Sequence, residues 1–179
     1  MSSSSTSTSS SSSARRLRRT VEEAAPRLER LTEDVTACPR AAGKWSPREI
    51  IGHLLDSAAH NHIRFVRAQL EEDLDFPGYD QDEWVRVQAY CESPWLELVE
   101  LWRSYNVLLA RIVDAIPSEV LTRPRARHSL HRIAWKPFAE DAPASLEDLI
   151  TDYVDHLSHH VAQIVELPAA RPAGSGSGN

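Results

Sequence analysis

Four stretches of this chain repeat apolar residues at steps of three and four. A chain patterned in this way buries its apolar stripes by packing helix on helix. The first stretch covers residues 15–36, with Leu17, Val21, Ala24, Leu28, Leu31 and Val35 in step and Pro26 inside as a candidate kink. The second opens at Ser46-Pro47-Arg48-Glu49, with Ser at the N-cap, Pro at the first helical position and Glu three residues after the cap. Its apolar face, from Ile50 and Leu54 to Phe65 and Leu70, predicts a helix reaching about residue 72. Ser93-Pro94-Trp95 repeats the Ser-Pro opening, and the third helix then runs to just before Pro117. The last opens at Ser145, with Asp148 three residues on, and runs to Pro168. A shorter helical piece is predicted over 82–90, after the turn Phe76-Pro77-Gly78-Tyr79. Pro117, Pro124, Pro137 and Pro143 break up residues 117–144, which read as a long loop with a short extended piece at 129–135. The expectation is an all-α four-helix bundle with a long loop between the third and fourth long helices, favouring a crossover over an up-down meander.

The two ends are set apart by composition. Residues 2–13 are Ser and Thr alone, and 173–179 is a Gly/Ser tail with almost no apolar surface to bury. A disordered arm over 1–14, one folded domain over 15–167 and a flexible tail over 168–179 are expected. The formal charge of −6 argues against a general nucleic-acid binder. The basic run Arg15-Arg16-Leu17-Arg18-Arg19 reads as a solvated helix start. No apolar stretch is long enough to span a bilayer, and the N-terminus has no secretory apolar segment. Cys38 and Cys91 are too few for a disulfide framework, so a reduced cytoplasm is the default.

The eight histidines cluster. His53, His60 and His62 fall on the second helix, His128 and His131 in the long loop, and His156, His159 and His160 on the last helix. His156 and His160 lie about 40° apart on a helical wheel and about one turn apart along it. That spacing lets one helix offer two nitrogens to one metal ion, though a chance surface pair has the same spacing. His53 sits among Ile50, Ile51, Leu54 and Leu55; it is either a hydrogen-bonded core histidine or a third ligand. His60 is a reserve on the same face, His62 points elsewhere, and His159 falls at the rim. His128 and His131 are further loop candidates. Asp152, one turn before His156, reads as an acceptor that orients an imidazole N–H. Asn61, Arg64, Tyr79 and Asp80 are candidates for a substrate pocket.

Three segments carry a resemblance: Gly43-Lys44-Trp45-Ser46-Pro47, His53-Leu54-Leu55-Asp56-Ser57, and residues 153–164, which run Tyr-Val-Asp-His-Leu-Ser-His-His-Val-Ala-Gln-Ile. Together with Asn61, Arg64-Phe65 and the stretch from Pro77 to Trp84, they make residues 42–166 resemble the DinB-like superfamily. Within it, the chain looks like the branch of metal-dependent hydrolases that includes bacillithiol-transferase-type enzymes. The resemblance implies a four-helix bundle, zinc or nickel bound by His53, His156 and His160, and a homodimer. It also implies a small-molecule substrate, which includes low-molecular-weight thiols, and either hydrolysis or thiol S-transfer. A non-catalytic metal-binding bundle with a stress or partner-binding role is the alternative. Residues 117–144 match no motif of the family.

Overall fold

The computed structural model describes residues 12–37, 39 and 43–166. Residues 1–11 of the arm expected over 1–14, Cys38, residues 40–42, residue 167 and the tail expected over 168–179 lie outside the described residues. Four long helices form the bundle: α1 (Ser12–Leu28), α3 (Pro47–Leu70), α5 (Trp95–Asp114) and α8 (Leu146–Val165). Between them lie the short helices α2 (Glu33–Ala37), α4 (Gln81–Gln88), α6 (Ser118–Thr122) and α7 (Leu130–Ile133).

Local signals explain most of the boundaries. Ser46 and Glu49 close a capping box on α3: the Ser46 N–H donates to Glu49 Oε2 at 2.7 Å and the Glu49 N–H to Ser46 Oγ at 3.3 Å. Ser145 and Asp148 do the same for α8. α1 starts at Ser12, three residues ahead of expectation, with Ser13 and Ala14 already buried. The single first helix expected over 15–36 is two helices. α1 ends two residues after Pro26, and the chain turns before α2.

Ser93 does not cap α5. The cap is Pro94, without a side-chain bond, and the Trp95 N–H donates instead to Glu33 Oε1 of α2 at 3.1 Å. The Trp95 indole in turn donates to Leu28 O at 2.8 Å, satisfying a carbonyl at the end of α1. The extended piece expected at 129–135 is instead α7, with backbone bridges on either side of it. Leu74 pairs with His128, and Arg125 with Ala144. Arg125 also donates to Ala68 O at 2.9 Å, tying the long connection to the end of α3.

α1 packs on α5 and α8, and α3 packs on the same two. The consecutive long helices α1 and α3 therefore stand at opposite corners, which a meander of neighbours would not allow. Trp95, Trp102, Phe65, Leu54 and Ile150 fill the core between them. For the site, the consequence is that α3 and α8 are neighbours. Gly52 adds a constraint on α3: a Cβ there would meet Tyr90 Cδ2 at 2.1 Å, so the Tyr90 ring lies directly on the helix backbone.

Candidate metal centre

α3 and α8 each turn one polar stripe toward the other inside an otherwise apolar interface. His53 comes from the first third of α3, and His156 and His160 from the middle and late turns of α8. His53 is fully buried and His156 is 7% exposed. Their Nε2 atoms approach to 3.0 Å. The His160 ring lies 5.0 Å from that of His53 and 4.6 Å from that of His156. One nitrogen from each residue falls within 4.8 Å of the other two, and among the described residues this group of His, Cys, Asp and Glu has three members.

The electrostatics suit ligation. Burial, aided by the neighbouring imidazoles, lowers the pKa of both His53 and His156 to about 3. Burial also lowers that of His160. All three rings are neutral near pH 7, the state in which an imidazole offers a lone pair. Three neutral nitrogens converging on one point fit a borderline divalent ion such as zinc or nickel. With donor nitrogens this close, His53 and His156, 3.0 Å apart at Nε2, and His160 beside them would hold one such ion between them.

The surroundings divide the other candidates. Gln163 was not among them, yet it holds the site: its Oε1 accepts from His160 Nδ1 at 3.0 Å, and its Nε2 donates to His159 Nε2 at 3.1 Å. The His160 proton is thereby placed on Nδ1, leaving Nε2 free. The signal for it was the spacing of three and four from His160 and His159. Asp152 was expected to hold an imidazole. Its two carboxylate oxygens instead accept the backbone N–H groups of Trp135 and Lys136, each at 2.9 Å, so it clamps the long connection to α8. Trp135 is thereby held 6.1 Å from the His156 ring, forming a wall of the site.

A cavity of about 130 Å³ opens beside His156. Asn61, Arg64, Tyr79 and Asp152 line it. Asp80, the fourth pocket candidate, does not: it caps α4, accepting the Glu83 N–H at 3.1 Å. A second hollow of about 420 Å³ lies against His160, Trp45, Lys44 and Gln163.

The remaining histidines are used elsewhere. His60 stacks on Tyr79 at 3.9 Å and donates to Asp56 O. His62 meets the Tyr105 hydroxyl at 3.2 Å. His128 donates to Ala142 O at 2.7 Å and accepts the Leu130 N–H, which makes it a brace within the long connection. His131 faces Glu140 at 3.8 Å. Neither loop histidine joins the cluster.

Comparison with known proteins agrees with this architecture. Residues 16–164 match the model of the DinB superfamily. YfiT of Bacillus subtilis, which bears the name of a candidate metal-dependent hydrolase, is 26% identical over 144 residues, covering 78% of this chain and 73% of its own. A Bacillus pumilus protein named in the same way is 26% identical over 137 residues, covering 76% and 72%. The solved structure of YfiT is described as having an unusual four-helix bundle topology. It superimposes with a TM-score of 0.68 at 22% identity, covering 86% of this chain and 84% of that one.

Proposed function

The chain belongs to the DinB superfamily, and we propose that it is a divalent-metal-dependent enzyme, a hydrolase of small molecules, with zinc or nickel held by His53, His156 and His160. The observation that carries this reading is the convergence of three buried, neutral imidazoles from two helices. Held by His53, His156 and His160, a divalent ion would supply Lewis acidity for hydrolysis of a carbonyl or phosphoryl compound. The chain's own contribution is to hold the ligands neutral and fixed: burial keeps protons off them, and Gln163 orients His160. The Asp152 clamp holds Trp135 beside the His156 ring. Since the cluster has three members among the described residues, it favours an open site over the closed four-ligand site of a purely structural metal.

Thiol S-transfer at the same centre is the second reading. Both zinc and nickel accept sulfur, and no carboxylate among the three members competes for the open positions. A small thiol would then be the substrate, in a reduced, cytoplasmic setting, and the active species a homodimer.

Metal analysis of protein purified without a His tag tests the foundation. About one equivalent of zinc or nickel per chain is expected, falling several-fold in His156→Ala and His160→Ala and unchanged in His62→Ala. Under about a tenth of an equivalent, with no gain on adding either metal, would sink the reading. Screening the loaded protein against esters, amides and thiol–electrophile pairs separates the two reactions.

A further inference from the structure

Arg64 is an arginine in an unusual position. It is 6% exposed, on the α3 face that lines the cavity beside His156. Its Nη2 donates to Pro77 O at 2.9 Å, and among the described residues no carboxylate pairs with it. The exposed arginines behave differently: Arg67 holds Glu71 at 2.7 Å and Arg86 holds Glu83 at 2.6 Å. Asp152 lines the same cavity and attracts Arg64 at a distance, while its two oxygens accept the Trp135 and Lys136 amides, so it is not hydrogen-bonded to the guanidinium. Tyr79 lines the same cavity, and its hydroxyl has no hydrogen-bond partner among the described residues. Stacking on His60 at 3.9 Å fixes its ring, and burial holds the phenol pKa well above its ordinary value, so the hydroxyl is a neutral donor. The cavity thus presents a buried guanidinium to which no carboxylate oxygen is hydrogen-bonded, and a spare hydroxyl donor.

A buried guanidinium is costly unless its donors are hydrogen-bonded, and an entering carboxylate can take the donors that Pro77 O leaves over. In a low-dielectric pocket, the fork of a guanidinium binds a carboxylate through two parallel hydrogen bonds. We propose that this cavity is an anion subsite, in which Arg64, with Tyr79 beside it, binds a carboxylate carried by the substrate while the substrate's other end reaches the histidine cluster. The proposal rests on the preceding reading of that cluster as the reactive centre and adds the substrate's charge. Arg64 follows His53 by eleven residues, about 16 Å along the helix axis before the reach of the side chains is counted. The carboxylate and the reacting group are therefore separated by a chain of several atoms.

Calorimetric titration of the full-length, zinc-loaded protein with 6-mercaptohexanoate and with 6-mercaptohexanol tests this. The two probes differ only in the anion, and a chain of this length cannot fold back to chelate the metal comfortably. The acid is expected to bind about 10- to 100-fold more tightly than the alcohol, as a charge-assisted bidentate pair implies. The preference should shrink to within about threefold in Arg64→Gln and be partly kept in Arg64→Lys, which retains the charge without the fork. If Arg64→Gln does not fold, the wild-type protein and Arg64→Lys still decide. Equal affinity for acid and alcohol in zinc-loaded wild-type protein overturns this inference alone. A full preference surviving in folded, zinc-loaded Arg64→Gln overturns it as well. Failure of the protein to take up zinc overturns the metal reading and this inference with it.

Discussion

His160 differs from its two partners in having its outer nitrogen held, by Gln163 at 3.0 Å. Removing that acceptor frees the ring and its tautomer, and such changes typically weaken metal affinity about 10- to 100-fold. Gln163→Ala is therefore expected to raise the zinc Kd by that factor in a chelator competition. Asp152→Ala should leave it within about threefold, because Asp152 holds backbone and not an imidazole. Its effect belongs in the loop: the Trp135 and Lys136 amides should exchange hydrogen faster. The depressed pKa values of His53 and His156 give a second prediction. In the unfolded chain these rings take up protons as pH falls through about 6.5, whereas the folded, metal-free protein resists until about 3. Stability is thus fully present above about pH 6.5 and is lost as pH falls toward 3. The loss for the pair by pH 4 is on the order of a few kcal/mol. Urea titrations of metal-free protein between pH 7 and 4 should show the midpoint falling; a flat profile would contradict the neutral, buried assignment.

At the scale of elements, the two Ser-Pro openings look alike in sequence and are built differently. Ser46 bonds into the first turn of α3, while Ser93 makes no such bond at α5. Ser46→Ala should cost about 1 kcal/mol of stability and Ser93→Ala less than about 0.5. Equal losses in chemical denaturation would show that the Glu33 bond to Trp95 is not the cap that matters at α5. The helix starts at Ser46 and Ser145 were legible because a cap is settled within four residues. The short helix at Leu130–Ile133 was not, because its position depends on Leu74, Ala142 and Ala144, residues outside it that bond to the chain just before it.

For the whole molecule, the packing order places α3 beside α8 and so brings together residues 103 positions apart. Among the described residues, no helix is long and apolar enough to cross a membrane. Several large apolar side chains nevertheless stay exposed, including Ile63 and Val66 on α3 and Val87 on α4. A homodimer is part of the proposed reading, and sedimentation equilibrium should return a mass near twice 20.1 kDa. A mass of one chain at micromolar concentration would remove the dimer from it.

Helical class, the α3 and α8 starts and the shared face of His156 and His160 were determined by the sequence alone. Each follows from the period of 3.6 residues and from bonds closed within one turn. The spacing left His53 open and the resemblance named it, whereas tertiary structure alone set it 3.0 Å from His156 and gave His160 its bond to Gln163 while Asp152 turned to backbone. It also decided that Arg64 lies buried with Pro77 O, and no carboxylate among the described residues, as its hydrogen-bond partner. Those outcomes depend on which helices become neighbours and on where the 117–144 connection lays its backbone. Such contacts are set by the packing of the whole core, and no local spacing encodes them.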